Sequence, residues 1–355
     1  MWLFGRNIDL FTLFLPVWTV WFLLFCLPIE TLETEIPLWV WVVSVLMIDV
    51  AHVWSTLFRT YLDPSEFSNH KRLLGLAPLV CFIGLYAVAV ESVDWFWRGM
   101  AYLALFHFIK QQYGFFALYS VRTGALKAKR YISDKITIYA SMLYPVLFWH
   151  FNARDFSWFV SGDFFEFEFN IALTWQILNG LYWLWMALWL LDEIRLIRAG
   201  QIRFSIGRIL WLFTTAVNWY LGIVYFNSDL AFTLTNVVAH GIPYMVLIIY
   251  YQSSKKERAT KAMLAPALTV ALTVIIGSLF LAFGEEYFWD LFLNQDKSGL
   301  FGSWIGYPDI TDTHFQALAL ALLSLPQVVH YVIDGFIWKM NDKNPHLKNM
   351  IRSDG

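Results

Sequence analysis

At 355 residues, 59% hydrophobic and 15% charged, with a mean hydropathy of +0.54, the chain carries more apolar surface than a water-soluble fold can bury. Soluble domains run at about 45–50% apolar and about 25% charged. A formal charge of −2 lacks the basic footprint that nucleic acids need, so no nucleic-acid partner is expected.

A bilayer is crossed by about 20 mostly apolar residues in a helix. Such stretches fall at about 10–28, 36–60, 74–92, 98–119, 136–156, 171–191, 207–226, 230–252, 263–284 and 314–338. The first is followed by no small-residue cleavage site and reads as a retained helix. Cys26 and Cys81 lie inside apolar stretches and read as small core residues. The 19% aromatic content suits belts at both interfaces.

The charges test the count independently. All of the 25 Lys and Arg residues except Arg98, Lys110, Arg154 and Lys297 lie before the first span, after the even-numbered spans or after the last. The alternate loops carry acids instead, among them Glu30, Glu33, Glu35, Glu91, Asp94, Asp155, Asp163, Glu166, Glu168, Asp229, Glu285, Glu286, Asp290, Asp309 and Asp312. This is the positive-inside pattern, repeated at every loop. It predicts an all-α, multi-pass bundle of about ten transmembrane helices in the cell (inner) membrane, with both termini cytoplasmic. Residues 1–355 form one membrane domain, 285–313 an outer interfacial loop together with the aromatic segment Phe164–Phe169, and 339–355 a basic cytoplasmic tail.

Ionisable groups inside a bilayer cost about 2.5–3.5 kcal/mol each for Asp, Lys and Arg on insertion scales, so they need partners or a purpose. Here they are placed selectively: Asp49 and His52 in span 2; His107, Lys110, Gln111 and Gln112 in span 4; Asn236 and His240 in span 8; Gln327, His330 and Asp334 in span 10. All four spans run from outside to inside. At 1.5 Å per residue the four histidines sit roughly 12–18 Å above the inner edge, in one slab. Asp49–His52 are spaced i, i+3; His107–Gln111, Asn236–His240 and His330–Asp334 are i, i+4, so each pair shares a helical face.

Imidazole is the commonest metal ligand, and a ligating histidine usually gives its second N–H to a carboxylate or amide. His52, His107, His240 and His330 are therefore the candidate metal ligands, with Asp49 and Asp334 as ligands or orienting groups. Gln111, Asn236, Gln327 and Lys110 are candidate supporting groups. The plainer alternative is that each histidine is a hydrogen-bonded packing residue, that Asp49 and Lys110 form a buried ion pair, and that Asp334 meets Lys339. His70, His314 and His346 fall in loops or at an outer edge and read as solvated, His150 beside Trp149 as interfacial, Asn179, Asn218 and Tyr182 as helix-packing groups, and Pro145, Pro243 and Pro326 as kink sites.

At Asp49–His52, His107–Phe108 and His330–Asp334 the chain resembles, at the level of motifs, the bacterial membrane-bound carotenoid-cleaving dioxygenases of the Brp/Blh family. It departs from them in that Asp49 precedes His52, no Gly follows His107–Phe108, and the His240 stretch holds one histidine rather than a close pair. The resemblance implies an iron-dependent oxygenase. The expected function is thus a membrane oxidoreductase using a transition metal, Fe(II), with O2 as co-substrate, on a lipid or isoprenoid that reaches it through the surrounding membrane lipids. A haem electron carrier and a proton-coupled transporter are the rival readings.

Overall fold

The computed structural model describes residues 1–126, 130–167, 172–260, 265–302, 306–341 and 344–352. Glu168 and Phe169, residues 303–305 of the outer loop, and 342, 343 and 353–355 of the tail lie outside these. Among the described residues every regular element is helical. Helices α1 (Arg6–Cys26), α2 (Leu38–Arg59) and α3 (Pro64–Glu91) are followed by α4 (Val93–Thr123), α5 (Tyr131–Phe151), α6 (Ala172–Arg198) and α7 (Ile206–Trp219). Then come α8 (Asp229–Thr260), α9 (Ala265–Trp289) and α10 (Thr313–Ile337), with a short amphipathic helix, α11 (Pro345–Arg352), in the tail.

Six of these, α1, α2, α3, α8, α9 and α10, are long and apolar enough to cross a membrane. The other four expected spans coincide with α4, α5, α6, and α7 with its π-helical extension Tyr220–Tyr225. Burial separates two kinds of spanning helix. The apolar windows of α3 and α9 are each 22% buried and that of α1 33%, against 67% for α8, 50% for α10 and 44% for α2. The helices that bury most are those with histidines. Those that bury least present large apolar side chains outward, such as Phe280, Leu268, Val80 and Phe22, as lipid-facing helices do. Cys26 is exposed on this outer face rather than packed in a core, and Cys81 is half-buried.

The chain forms two compact units: one holds Met1–Pro37, Leu105–Pro243 and Leu347–Gly355, the other Leu38–Ala104 and Tyr244–His346. In the first, a buried ionic knot ties α5, α6 and α7. Arg208 meets Asp134 (2.5 Å) and Glu193, and Arg130 meets Asp134 (3.2 Å), Glu193 (3.3 Å) and Asp192. Ser120 of α4 accepts from Arg208 Nε at 3.2 Å. Near the N-terminus, Asp9 accepts from the backbone N–H of Leu3 and Phe4 and from the Tyr119 hydroxyl. Gly222 lets the π-helical extension of α7 approach α8, because a Cβ there would stand 2.2 Å from Thr235 Oγ1.

In the second unit, Leu74, Ala77, Val329, Ile333 and Ile337 pack α3 against α10. Tyr244, Ile248, Val270 and Val274 pack α8 against α9. Arg59, counted among the inner cations, is fully buried at the end of α2. It pairs with Glu66 at 2.6 Å, lies over Tyr251 at 3.9 Å, and donates to the carbonyl of Ile337 and to Asn344 Oδ1. Asp63 caps α3 through the N–H groups of Ser65 and Glu66 and pairs with Lys255 at 2.6 Å. His70 and His346 are not loop residues in water: His70 sits in α3 beside Glu66, and His346 Nε2 is 2.9 Å from Ser254 Oγ.

Two departures from regular α-helix bear on the site. Val42–Val50 of α2 is π-helical and ends one residue before Ala51–Arg59; such widened turns occur mostly at functional positions. α10 breaks at Ser324, and Pro326 occupies the first turn of its second piece, Leu325–Ile337, where a missing N–H costs nothing. Pro243, expected to kink its helix, lies within continuous α8. Glu285 and Glu286, expected in the outer loop, lie in α9, which runs to Trp289 before the π-helical Asp290–Asn294.

Candidate metal centre

In the second unit, His52 on α2 and His330 on the second piece of α10 stand with ring centroids 5.0 Å apart. His52 Nδ1 is 3.6 Å from Asp49 Oδ1, and the Ile48 and Asp49 carbonyls lie beside the ring. His330 Nδ1 is 2.7 Å from Thr56 Oγ1 and 3.7 Å from Asp334 Oδ1. Thr56 Oγ1 is 2.9 Å from the Tyr244 hydroxyl, and Tyr244 donates to Asp334 Oδ1 at 2.6 Å. Trp54 donates to Glu285 at 2.6 Å.

In the first unit, His107 on α4 and His240 on α8 have ring centroids 5.0 Å apart. Phe108 stacks flat on His240 with centroids 3.6 Å apart and planes 10° apart, which fixes the ring's orientation. Gln111 donates to the carbonyl of His240 at 2.8 Å, and Gln112 to that of Ala239 at 3.0 Å. Thr215 donates to Gln112 Oε1 at 2.9 Å. These amides hold the backbone of α8 at the histidine, which Pro243 would otherwise loosen.

The four histidines form one buried group, with one ligand nitrogen from each within 4.8 Å of the other three. Nitrogens around a metal at 2.0–2.1 Å lie about 3.3 Å apart in tetrahedral geometry, and a group of this size could hold a metal ion. The donor set fits: imidazole nitrogens are the commonest protein metal ligands and suit a transition metal. Among the described residues the group contains histidines alone. Asp49 and Asp334 stand beside His52 and His330, beyond hydrogen-bond distance of the rings.

The remaining expected residues are placed as follows. Asn236 donates to the Phe232 carbonyl one turn back, and its Oδ1 is buried without a protein partner. Gln327 bonds Tyr331. The Lys110 ammonium stands over the rings of Phe106 and Tyr113 at 6.0 and 5.7 Å. Asn218 and Tyr182 are packing groups: Asn218 joins Trp21 to the Thr235 carbonyl, and Tyr182 reaches the Ser141 and Ala216 carbonyls.

Sequence reasoning missed Thr56 and Tyr244, and it named Phe108 only within the His107–Phe108 motif, not as the ring that stacks on His240. Thr56 lies four residues after His52, and Tyr244 four after His240, so both extend the polar stripe by one turn. That spacing was the available signal.

No family model, curated protein or solved structure matches this chain.

Proposed function

We propose that this chain is a multi-pass membrane oxidoreductase of the oxygenase type. It binds one transition metal, Fe(II), on His52, His107, His240 and His330 and acts with O2 on a lipid or isoprenoid. The observation that carries the reading is the gathering of four buried histidines, from four apolar helices, within 4.8 Å. Unrelated packing histidines have no reason to converge, and each polar group in a bilayer is costly. Iron is preferred over zinc or copper on the motif resemblance to the Brp/Blh dioxygenases, because all-histidine sets suit all three metals.

A bound metal of this kind supplies a Lewis-acidic, redox-active centre at which O2 and substrate are activated. The protein's own residues do the rest. Phe108 and Gln111 hold His240, Thr56 holds His330, and the apolar helices exclude water. The charge alternation supports ten spans with both termini cytoplasmic, so an apolar substrate arrives sideways from the bilayer.

Convergence of the nitrogens disfavours a haem carrier, because four imidazoles this close occupy the space that a porphyrin needs between two axial ligands. It also disfavours a transporter, whose relay groups line a path rather than meet at a point.

The test is metal analysis with an optical spectrum on protein purified without chelators, followed by O2 uptake on adding isoprenoid lipids. About one transition-metal ion per chain, no Soret band and lipid-dependent O2 uptake are expected. A Soret band, or full activity in metal-free protein, overturns the reading.

A further inference from the structure

A tyrosine or threonine hydroxyl has one proton to donate, and an ionised carboxylate only accepts. Applied to the chain His330–Thr56–Tyr244–Asp334 with Asp334 ionised, this count leaves one arrangement. Tyr244 spends its proton on Asp334 at 2.6 Å. Its oxygen must then accept from Thr56 across the 2.9 Å contact, which uses the threonine's proton. Thr56 Oγ1 can therefore only accept from His330 Nδ1 at 2.7 Å. The donors run one way, from the imidazole to the carboxylate.

We infer that Thr56 and Tyr244 are positioning residues that fix the tautomer of His330: they hold the proton on Nδ1 and leave the Nε2 lone pair for a metal. Asp334 acts at the far end of this chain as the terminal acceptor, not as a ligand. The role of the lone pair rests on the metal-site reading above; the tautomer itself does not. The device has a physical rationale. A histidine whose carboxylate partner is 3.7 Å from the ring cannot be oriented by it directly. Two intervening hydroxyls carry the polarity across that gap. Thr56 and Tyr244 are buried, so no competing water is at hand to reverse the bonds. Thr56 also sits one turn from His52 on α2, and Tyr244 one turn from His240 on α8, so the chain is built from the helices that carry the histidines.

Two measurements on the full-length chain test this. The first is the tautomer of His330 in metal-free, 15N-histidine-labelled protein, assigned by the signal lost in His330→Gln. Nδ1–H is expected in the wild type. In Tyr244→Phe the Thr56 proton is released to donate to the ring, so the population shifts toward Nε2–H. An Nε2–H wild type overturns the inference.

The second is Zn(II) affinity by competition with a chromophoric chelator. Thr56→Val and Tyr244→Phe should bind about 10–100-fold more weakly, the range typical for lost support of a ligating histidine. Thr56→Ser, which restores the hydroxyl, should stay within a few-fold of wild type. A merely structural role would lower the unfolding temperature of the metal-free variants without changing Zn(II) affinity. If the wild type binds Zn(II) and both variants bind equally well, the positioning role is wrong and the metal site stands. If the wild type binds no Zn(II), the metal reading fails, and the tautomer measurement still judges the chain.

Discussion

Buried imidazoles at 0–4% exposure are held by their neighbours as much as by one another, and this sets what single substitutions do. A metal held by four ligands is lost as a unit. His52→Ala, His107→Ala, His240→Ala and His330→Ala should each sharply reduce bound metal while the protein stays monodisperse in detergent. Four variants that keep their metal would make these histidines packing residues. Asp49→Asn should change metal binding by no more than about a few-fold, because the carboxylate, 3.6 Å from His52 Nδ1, is beyond hydrogen-bond distance of the ring. Lys110→Met should leave binding unchanged, because its ammonium stands over Phe106 and Tyr113. Elsewhere in the same unit as His240, the ionic knot makes the opposite kind of prediction. Arg208→Leu leaves Asp134 and Glu193 to share Arg130 alone, with uncompensated negative charge in the interior, and should destabilise the fold by about 3–5 kcal/mol, read as a lowered unfolding midpoint. The surviving folded fraction should still bind metal normally.

A helix presents its residues by spacing, so what an element contributes depends on where it starts and where it breaks. α3 starts at Asp63, whose carboxylate caps two backbone N–H groups. Burial there pushes its pKa up, but the bonds from Lys255, Ser65 and Gln252 outweigh this and bring it down to about 2. The unfolded value is about 3.9. A depressed carboxylate stabilises the fold fully above the unfolded value and loses that contribution as pH falls toward about 2. Thermal unfolding should therefore separate wild type from Asp63→Ala at pH 6, with the cap alone accounting for about 1 kcal/mol. The two should converge as the pH is lowered toward 2. The linear pattern made the helices themselves legible through the length of their apolar runs, along with the i, i+3 and i, i+4 stripes that place Asp49 with His52 and Asp334 with His330. It gave no sign of the π-helical turn at Val42–Val50 or the break at Ser324. Those depend on which carbonyls find partners once neighbouring helices pack.

At the level of the whole molecule, the charge alternation makes a prediction about sidedness. On a Cys26→Ser, Cys81→Ser background, a cysteine at Ser298 should react with a membrane-impermeant thiol reagent from outside. One at Ala199 should react only after the membrane is opened. Both positions are exposed, whereas Ser253 is buried and would be silent on either side. The reverse pattern would invert the topology.

Composition and loop charge by themselves determined that this is a membrane protein built of helices. Lipid solvation acts on every residue independently, and its signal survives in a linear string. The sequence also led to the expectation of a common depth for the four histidines, because depth is only a count of residues along a helix. Which histidines meet, and through what, was decided by the tertiary structure alone, since the order of helices around a bundle leaves no trace in spacing. Thr56 and Tyr244 show why. A threonine in an apolar helix ordinarily bonds its own backbone one turn back, and the chain has 17 tyrosines, so neither residue stands out until packing brings its hydroxyl to His330. Arg59 and Arg208 make the same point with charge. Along the sequence they are two more inner cations, and only the carboxylates that packing places around them turn them into buried pins of the fold.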